Sequence, residues 1–151
     1  MSDLNYETPT DIESAIALLA GDDHAKVLAG GTDLLVQLRE EMIEPSLIVD
    51  IKRIAETRTV DMGADEIRIG AAVTGAELDE NEALKVAWPG VVEGVELIGS
   101  WQVQGRATIG GNLCNGSPAA DGVPALIAGA AKIVIVGPNG TREVPAEDFN
   151  T

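Results

Sequence analysis

The sequence predicts an α+β fold, in which a small parallel strand–helix–strand lobe precedes a larger lobe of mostly antiparallel sheet with helices. Short apolar runs at 26–29 and 46–51 flank a helix-like segment, an order that favours a parallel pair of strands joined by a right-handed crossover. Farther along, Gly63-Ala64-Asp65 separates two strand-like runs, which is typical of a hairpin. The pattern thus changes from parallel to antiparallel along the chain.

The smaller lobe is predicted to span residues 1–52, and the larger lobe residues 53–151. A first strand is expected near Leu4 to Tyr6. Thr10 and Glu13 have the spacing of a capping box, in which each side chain accepts a hydrogen bond from the other residue's backbone N–H, so a helix is expected to begin at Thr10.

The larger lobe begins with the predicted hairpin and continues with helices. Thr74 and Glu77 form a second capping-box pattern. A longer helical stretch is predicted over 82–98, with a break or kink at Pro89 because proline cannot donate a backbone hydrogen bond. Trp101 follows this stretch, and a core position is expected for it.

The segment 104–121 is rich in Gly, Asn and Ser and is predicted to be a loop. A loop of this length inside a compact domain is usually functional. An apolar helix is predicted over 124–130, capped by Asp121. The chain then returns through two strand-like runs at 132–136 and 141–144.

Two glycine pairs are the strongest candidate binding features. Residues 29–35 read Ala-Gly-Gly-Thr-Asp-Leu-Leu, and residues 108–112 read Thr-Ile-Gly-Gly-Asn. Glycine lets a backbone approach a ligand closely, and a helix that starts at Thr32 or Asp33 directs free N–H groups at the same point. This arrangement suits a phosphate, and two such loops could hold a pyrophosphate. A single Gly-Gly pair would be a weak signal.

Composition limits the remaining possibilities. The 25 acidic and 10 basic residues give a net charge of −15, which disfavours nucleic acid and anionic lipid as partners. No apolar run reaches the roughly 20 residues of a membrane span. The start of the chain lacks the pattern of a secretory signal, so a cytoplasmic protein is expected.

The sequence contains one cysteine, Cys114, and one histidine, His24. An iron–sulfur cluster normally needs four cysteine ligands, so no cluster is expected on this chain. A zinc site or a Cys–His dyad is not expected either. His24 lies in a polar turn beside two aspartates, and a surface position is expected for it.

These motifs resemble the FAD-binding subunit of the molybdenum hydroxylases, a family that includes the medium subunit of aerobic carbon monoxide dehydrogenase and the flavin domain of xanthine dehydrogenase. The resemblance is carried by residues 29–35, 108–112 and 117–121, the last reading Ser-Pro-Ala-Ala-Asp, and it extends in order over nearly the whole chain. It implies a two-lobe α/β domain with FAD between the lobes.

The resemblance also implies roles for individual residues. The first motif would hold the pyrophosphate, the second would close over it, Asp121 would accept hydrogen bonds from the adenosine ribose, and Ile98 would lie near the flavin. The implied FAD-binding residues are Val27, Leu28, Ala29, Gly30, Gly31, Thr32, Asp33, Leu34, Ile98, Thr108, Ile109, Gly110, Gly111, Asn112 and Asp121.

In this family FAD receives electrons from iron–sulfur clusters and passes them to NAD, a quinone or oxygen. The resemblance therefore implies a molybdopterin-binding large subunit and an iron–sulfur small subunit carrying [2Fe-2S] clusters as partners, and no catalytic or metal-binding residue on this chain. Family members usually continue with a third domain of roughly a hundred residues. Its absence here leads us to expect a truncated form or one product of a split gene.

Two alternatives stay open. A different FAD oxidase of this two-lobe fold could attach its flavin covalently to His24 or Cys114, although neither residue lies in a recognised linkage motif. Acid precipitation would leave free flavin in the supernatant only if the binding is non-covalent. An assembly module that keeps the fold without flavin is the other alternative, and it would purify as a colourless protein.

The acidity itself makes a prediction. If it is an adaptation to high salt, the melting temperature should rise steeply between low salt and molar salt, because screening removes the repulsion between carboxylates. Thermal unfolding followed across that range checks this. A flat melting temperature would instead indicate that the acidic surface matches a basic partner.

Overall fold

The computed structural model describes residues 4–149, and within them short strands alternate with short helices. The strands are β1 (Asn5–Glu7), β2 (Lys26–Leu28), β3 (Leu47–Asp50), β4 (Val60–Met62), β5 (Ile67–Ile69), β6 (Lys132–Gly137) and β7 (Gly140–Pro145). The α-helices are α1 (Ile12–Ala20), α2 (Leu34–Arg39), α3 (Gly75–Asp79), α4 (Glu82–Ala87), α5 (Pro89–Glu96), α6 (Trp101–Gln104), α7 (Ile109–Cys114) and α8 (Gly122–Ala128).

The first three strands form a parallel sheet in the order β1-β3-β2. Tyr6 pairs with Ile48, and Val27 pairs with Val49, so β3 lies at the centre. All residues of β3 are buried, as expected for the central strand of a parallel sheet with helices against it. The predicted parallel pair is therefore confirmed.

Helix α1 packs on this sheet and closes a small apolar core. Ala15 of α1, Leu47 and Val49 of β3, and Ile54 just beyond β3 are its buried members. The helix begins one residue later than predicted, because Asp11 is the N-cap and its carboxylate accepts the N–H of Ser14 at 2.8 Å. The Thr10 capping box was therefore wrong by one residue.

The rest of the chain contributes two antiparallel hairpins, as the turn signals predicted. Strands β4 and β5 pair with Asp61 opposite Arg68, and β6 pairs with β7 along six residue pairs. The second hairpin closes at Gly137 and Gly140, and Gly140 has φ +101, a conformation that a side chain would strain. The observed strands agree with the predicted change from parallel to antiparallel sheet.

A larger apolar core lies among α3, α4, α5, α7 and α8. Its fully buried members include Leu78, Leu84, Val91 and Val95, and the hairpin residues Ile69 and Ile133 pack against it. The core is aliphatic, as the low aromatic content requires.

The structure confirms one prediction for this region, the helix break, and contradicts two, the position of Trp101 and part of the loop. The long helix is interrupted where proline was expected to interrupt it, because α4 ends at Ala87 and α5 begins at Pro89. The core position of Trp101 was wrong, since this residue is 71% exposed. The predicted loop over 104–121 was also wrong in part, because it contains α7 and the last residue of α6.

The capping box of α3 is present and connects this helix to its surroundings. The Thr74 hydroxyl accepts the N–H of Glu77, and the Glu77 carboxylate accepts the Thr74 N–H at 2.8 Å. Arg58 pairs with the same carboxylate at 2.5 Å. Burial raises the pKa of Glu77, but these hydrogen bonds and the Arg58 charge outweigh burial and hold the pKa below its usual value.

Within residues 4–149, no helix combines the length and the apolar character needed to cross a membrane.

The capping box gives a stability prediction. Replacing Thr74 with Ala should lower the free energy of unfolding by about 1 kcal/mol, because the first turn of α3 loses its side-chain acceptor. Urea denaturation measures this change. Thr141→Ala is the matched control, since Thr141 is exposed on β7. Equal stability of the two variants would contradict the structural role of the box.

Candidate cofactor site

The first glycine loop connects the end of β2 to the start of α2. Gly31 has φ +78, a left-handed conformation that favours glycine. The backbone N–H groups of Gly31, Thr32, Asp33 and Leu34 make no backbone hydrogen bond within the described part of the chain. Thr32 and Asp33 are exposed. These successive donors are therefore available to an acceptor outside the protein.

Asp33 occupies the N-cap position of α2, as the sequence predicted, but its carboxylate does not cap the helix. Instead it accepts a hydrogen bond from the Gln37 side chain one turn later. The adjoining residues of β2 differ in exposure, because Val27 is 45% exposed and Leu28 is buried. Leu28 packs against the loop, since an added Cβ on Gly31 would lie 2.9 Å from Leu28 Cδ1.

The second glycine pair lies in the first turn of α7 rather than in a loop. Thr108 is the N-cap, and its buried hydroxyl accepts the N–H of Gly111 at 2.9 Å. Because Thr108 also forms a β-bridge with Thr74, the start of α7 is fixed against the start of α3. The N–H groups of Ile109 and Gly110 make no backbone hydrogen bond within residues 4–149.

The first motif meets the segment just before the second motif through backbone. An added Cβ on Gly30 would lie 2.0 Å from the carbonyl oxygen of Arg106, so this glycine rests directly on the peptide before Ala107. An added Cβ on Gly110 would lie 2.7 Å from the carbonyl oxygen of Ala71. These two glycines therefore serve close contact within the protein, a reason for glycine that the sequence did not reveal.

Gly31 and Gly111 have different reasons to be glycine. Gly31 needs its left-handed backbone, whereas an added Cβ on Gly111 would meet only the Thr108 hydroxyl, at 2.8 Å. Gly111 is exposed. Its N–H is already bonded to the Thr108 hydroxyl, so its exposed Cα, rather than its N–H, is the part of Gly111 that a ligand could approach.

Asn112 connects α7 to α8. Its side-chain oxygen accepts the N–H of Gly122 at 3.1 Å and thereby takes the capping role predicted for Asp121. The prediction that Asp121 caps α8 was wrong: its backbone is already helical, at φ −62 and ψ −32, and its side chain makes no capping bond. The Asp121 carboxylate is exposed at the start of α8 and makes no capping hydrogen bond.

Ile98 is partly buried and packs against the larger core. It also borders the start of α8, because an added Cβ on Gly122 would lie 3.6 Å from Ile98 Cδ1. The structure thus brings Ile98, Asn112 and Asp121 to one region, at the C-terminal side of the second glycine pair.

A charged network that the sequence analysis missed supports the first loop. Lys52 donates a hydrogen bond to the Ala29 carbonyl oxygen at 2.9 Å and pairs with Asp50 at 2.9 Å. Tyr6 donates to the other oxygen of the Asp50 carboxylate. Burial raises the pKa of Asp50, but the hydrogen bonds from Lys52 and Tyr6 outweigh burial and hold the pKa below its usual value. The sequence feature that could have revealed this network is Asp50, an aspartate at the end of a buried strand.

Two surface cavities adjoin these elements. One, of about 330 Å³, is lined by Lys52, Arg58, Thr74, Gly105 and Arg106. The other, of about 620 Å³, is mainly apolar and is lined by residues between Gly116 and Ala128. The second cavity adjoins Asp121 through its neighbour Ala120.

The two residues considered for covalent attachment have ordinary surroundings. His24 is exposed, as expected, and its backbone N–H donates to Asp22 at 2.9 Å. Cys114 is the last residue of α7 and is partly exposed, but loss of hydration at its thiol raises the pKa. A raised pKa lowers the thiolate fraction, so Cys114 is not an activated nucleophile.

Comparison with known proteins agrees with this arrangement. Residues 2–151 match the family described as the FAD binding domain in molybdopterin dehydrogenase. The xanthine dehydrogenase FAD-binding subunit of Escherichia coli O157:H7 is 37% identical over 148 residues, which cover 97% of this chain and 51% of that protein. The carbon monoxide dehydrogenase medium chain of Hydrogenophaga pseudoflava is 37% identical over 146 residues, covering 95% and 50% respectively.

A solved structure shows the same fold. It is that of carbon monoxide dehydrogenase from Hydrogenophaga pseudoflava lacking the Mo-pyranopterin moiety of the molybdenum cofactor, and it superposes with a TM-score of 0.94 at 35% identity. The superposition covers 98% of this chain and 52% of that chain. This chain belongs to the family of FAD-binding domains of molybdopterin dehydrogenases, and it spans about half the length of the relatives it matches.

The family makes FAD the cofactor of this chain, and the geometry fits a dinucleotide. A pyrophosphate needs several donors on more than one side, and the open N–H groups of 31–34 and of Ile109 and Gly110 supply them. Helices α2 and α7 also direct the positive ends of their dipoles towards their own starts. No side-chain carboxylate in the described range caps either helix start, which would otherwise compete with an anion.

The different glycine environments predict different outcomes of substitution. Gly30→Ala should lower the free energy of unfolding by about 1–3 kcal/mol, since its Cβ overlaps the Arg106 carbonyl. Gly111→Ala should weaken FAD binding, and its stability loss should be smaller than that of Gly30→Ala, because its Cβ meets one side-chain hydroxyl and not backbone. Urea denaturation and flavin fluorescence titration measure the two effects.

Gly90→Ala provides the control for both variants, because nothing lies within 4 Å of an added Cβ at this helical glycine. It should leave FAD affinity unchanged and should not lower stability, since alanine has a higher helix propensity than glycine. If Gly30→Ala behaved like this control, the backbone contact between the two motifs would not be needed for folding.

Proposed function

We propose that this chain holds FAD between its two glycine motifs and acts as the electron-transfer flavoprotein part of a molybdenum-containing oxidoreductase. In this function electrons pass from iron–sulfur clusters on a partner subunit through FAD to an external acceptor, such as NAD, a quinone or oxygen. The observation that carries the proposal is the set of unpaired N–H groups at the starts of α2 and α7, which backbone contact through Gly30 brings together.

The proposal assigns the cofactor as the resemblance implied. Residues 27–34 and 108–112 bind the pyrophosphate and the adjoining sugar chain, Asp121 accepts hydrogen bonds from the adenosine ribose, and Ile98 lies near the flavin. The Asp121 carboxylate is exposed and makes no capping bond, which supports this role, because it can accept hydrogen bonds from two hydroxyl groups without losing a structural bond. Ile98 supports its own role by presenting a partly exposed apolar side chain near the same helix start.

When bound, FAD supplies the redox chemistry, and the protein supplies binding and orientation. The first motif neutralises phosphate charge through backbone dipoles rather than through cationic side chains. Thr108 keeps α7 at a fixed position through its cap and its bridge to Thr74, so the donors of both motifs stay aligned. No residue of this chain is assigned as an acid or base.

The partners and the internal division are proposed on the same basis. A molybdopterin-binding large subunit and an iron–sulfur small subunit would complete the complex. Residues 1–52 and 53–151 would be the two lobes that enclose FAD. The separate small and large apolar cores support this division, since the first uses residues 15–54 and the second residues 73–146.

Electron transfer is tested by reconstitution. The protein, loaded with FAD, is mixed with a molybdopterin-binding subunit and an iron–sulfur subunit of the family, with and without the further half of the relatives' length, and reduction of a dye acceptor is followed after substrate is added. Substrate-dependent reduction that requires both FAD and that further segment is the expected result. A protein that binds FAD but never receives electrons from any such partner would contradict the electron-transfer assignment.

Asp121 provides the sharpest prediction for the binding mode. Asp121→Ala should weaken FAD binding by about 1–3 kcal/mol, the range for hydrogen bonds to a charged group, and FMN binding much less, because FMN lacks the adenosine ribose. Flavin fluorescence titration measures both ligands. The melting temperature of the flavin-free protein should stay unchanged, since Asp121 does not cap α8.

Asp65→Ala is the matched control, because Asp65 is an exposed turn residue of the β4–β5 hairpin. It should leave both affinities unchanged. Equal losses of FAD and FMN affinity in Asp121→Ala would refute contact with the ribose.

A further inference from the structure

Lys52 is placed where it can control the first glycine loop. Its ammonium group bonds the carbonyl oxygen of Ala29, the residue immediately before the Gly30-Gly31 pair, at 2.9 Å. The side chain is 28% exposed and also lines the cavity that contains Arg106. Lys52 therefore reaches the loop from the side of the parallel sheet.

A buried carboxylate holds this ammonium group in place. Asp50 is only 6% exposed, and one of its oxygens accepts both the ammonium of Lys52 and the Lys52 backbone N–H, each at 2.9 Å. Tyr6 from β1 binds the other oxygen. Because Asp50 ends β3 and Tyr6 belongs to β1, the carboxylate that holds the Lys52 ammonium is itself positioned by the sheet and not by the loop.

The bond to Ala29 fixes the direction of a peptide group. No peptide bond in the described residues is cis, and in a trans peptide the C=O and the following N–H point in opposite directions. A carbonyl of Ala29 directed at Lys52 therefore turns the N–H of Gly30 away from Lys52, and this N–H makes no backbone hydrogen bond within residues 4–149. Since glycine allows the peptide to rotate, this orientation needs an external restraint.

We infer that Lys52 is a positioning residue for the cofactor: by holding the Ala29 carbonyl, it directs the Gly30 N–H towards the pyrophosphate of FAD. The inference rests on the proposed binding of FAD by the first motif. The cation acts through the peptide and not by touching the cofactor, so the chain uses one of its few basic residues to orient a neutral donor. A chain of contacts therefore connects the sheet to the binding loop: Tyr6 binds Asp50, Asp50 binds Lys52, and Lys52 binds the Ala29 carbonyl.

The test compares Lys52→Met with Lys52→Arg. Methionine has a side chain of similar length but lacks the positive charge and the N–H donors of lysine. Arginine has both the charge and N–H donors. Lys52→Met should weaken FAD binding about tenfold, the effect of one misplaced hydrogen bond to a charged group, and Lys52→Arg should recover most of that loss. Lys132→Met is the control, because Lys132 pairs with Glu143 on the surface of β6 and β7, away from both glycine motifs.

A second measurement uses the flavin-free protein. The amide resonance of Gly30 should shift in Lys52→Met, because the peptide between Ala29 and Gly30 loses its restraint, while the amides of α8 stay unchanged. A general loss of stability would affect α8 as well, so this readout separates positioning from folding. Lys52→Arg should restore the Gly30 signal.

The outcomes separate the inference from the proposed function. Failure of the wild-type protein to bind FAD would overturn the function, and an unchanged Gly30 amide in Lys52→Met would then overturn the positioning role on its own. If the wild type binds FAD and Lys52→Met binds it equally tightly, the inference is wrong and the function stands. Tenfold weaker binding with a shifted Gly30 amide and rescue by arginine supports the inference.

Discussion

The contact of Gly30 with the peptide between Arg106 and Ala107 is the constraint on which the rest of the site depends. A side chain at Gly30 would overlap the Arg106 carbonyl oxygen, so the two segments can meet only as bare backbone. This contact brings the start of α2 and the start of α7 to one place, although they lie far apart in the sequence. Without it, each motif would be an isolated helix start, which binds anions only weakly.

The site also shows how an acidic protein can hold an anionic cofactor. With a net charge of −15, the chain as a whole repels a pyrophosphate. Two basic side chains near the site are committed to carboxylates, because Arg58 pairs with Glu77 and Lys52 with Asp50, whereas Arg106 lines the same cavity without such a pair among the described residues. In the proposed binding mode, most of the attraction comes from backbone N–H dipoles at close range, where distance outweighs the screened charge of the remote surface.

The network of Tyr6, Asp50 and Lys52 extends this principle. A buried carboxylate fixes a cation, and the cation holds the carbonyl of a neutral peptide in the first glycine loop, which we propose faces the cofactor. The charges thus stabilise an arrangement of dipoles and do not contact the ligand themselves. Such a design keeps the binding loop ordered while the glycines leave its outer surface open.

Much of the local structure was predictable because its causes are local. The parallel pair β2–β3, both hairpins, the break before Pro89 and the Thr74 capping box follow from turn residues, proline and short-range hydrogen bonds, and all were confirmed. The glycine-rich segment over 104–121 was harder to predict. Glycines in α7 lower helix propensity, yet the Thr108 cap and the packing of Leu113 in the core override that local preference.

Trp101 and Asp121 are residues for which a prediction from the neighbouring sequence was wrong. The exposure of Trp101 depends on which face of α6 meets the core, and the release of Asp121 from capping depends on Asn112, a residue on another helix. Neither fact is encoded in the neighbouring sequence. Both arise from contacts between segments.

The sequence by itself determined most of the strands, the change from parallel to antiparallel pairing, the two glycine motifs and the family resemblance, since these rest on residue types and spacing along the chain. Only the tertiary structure decided why particular glycines are required and which polar residues are free to bind. Gly30 and Gly110 meet backbone from distant segments, and Lys52 reaches Ala29 through a buried carboxylate. The physical reason is that steric overlap and hydrogen-bond pairing depend on distances in space, which a linear pattern does not specify.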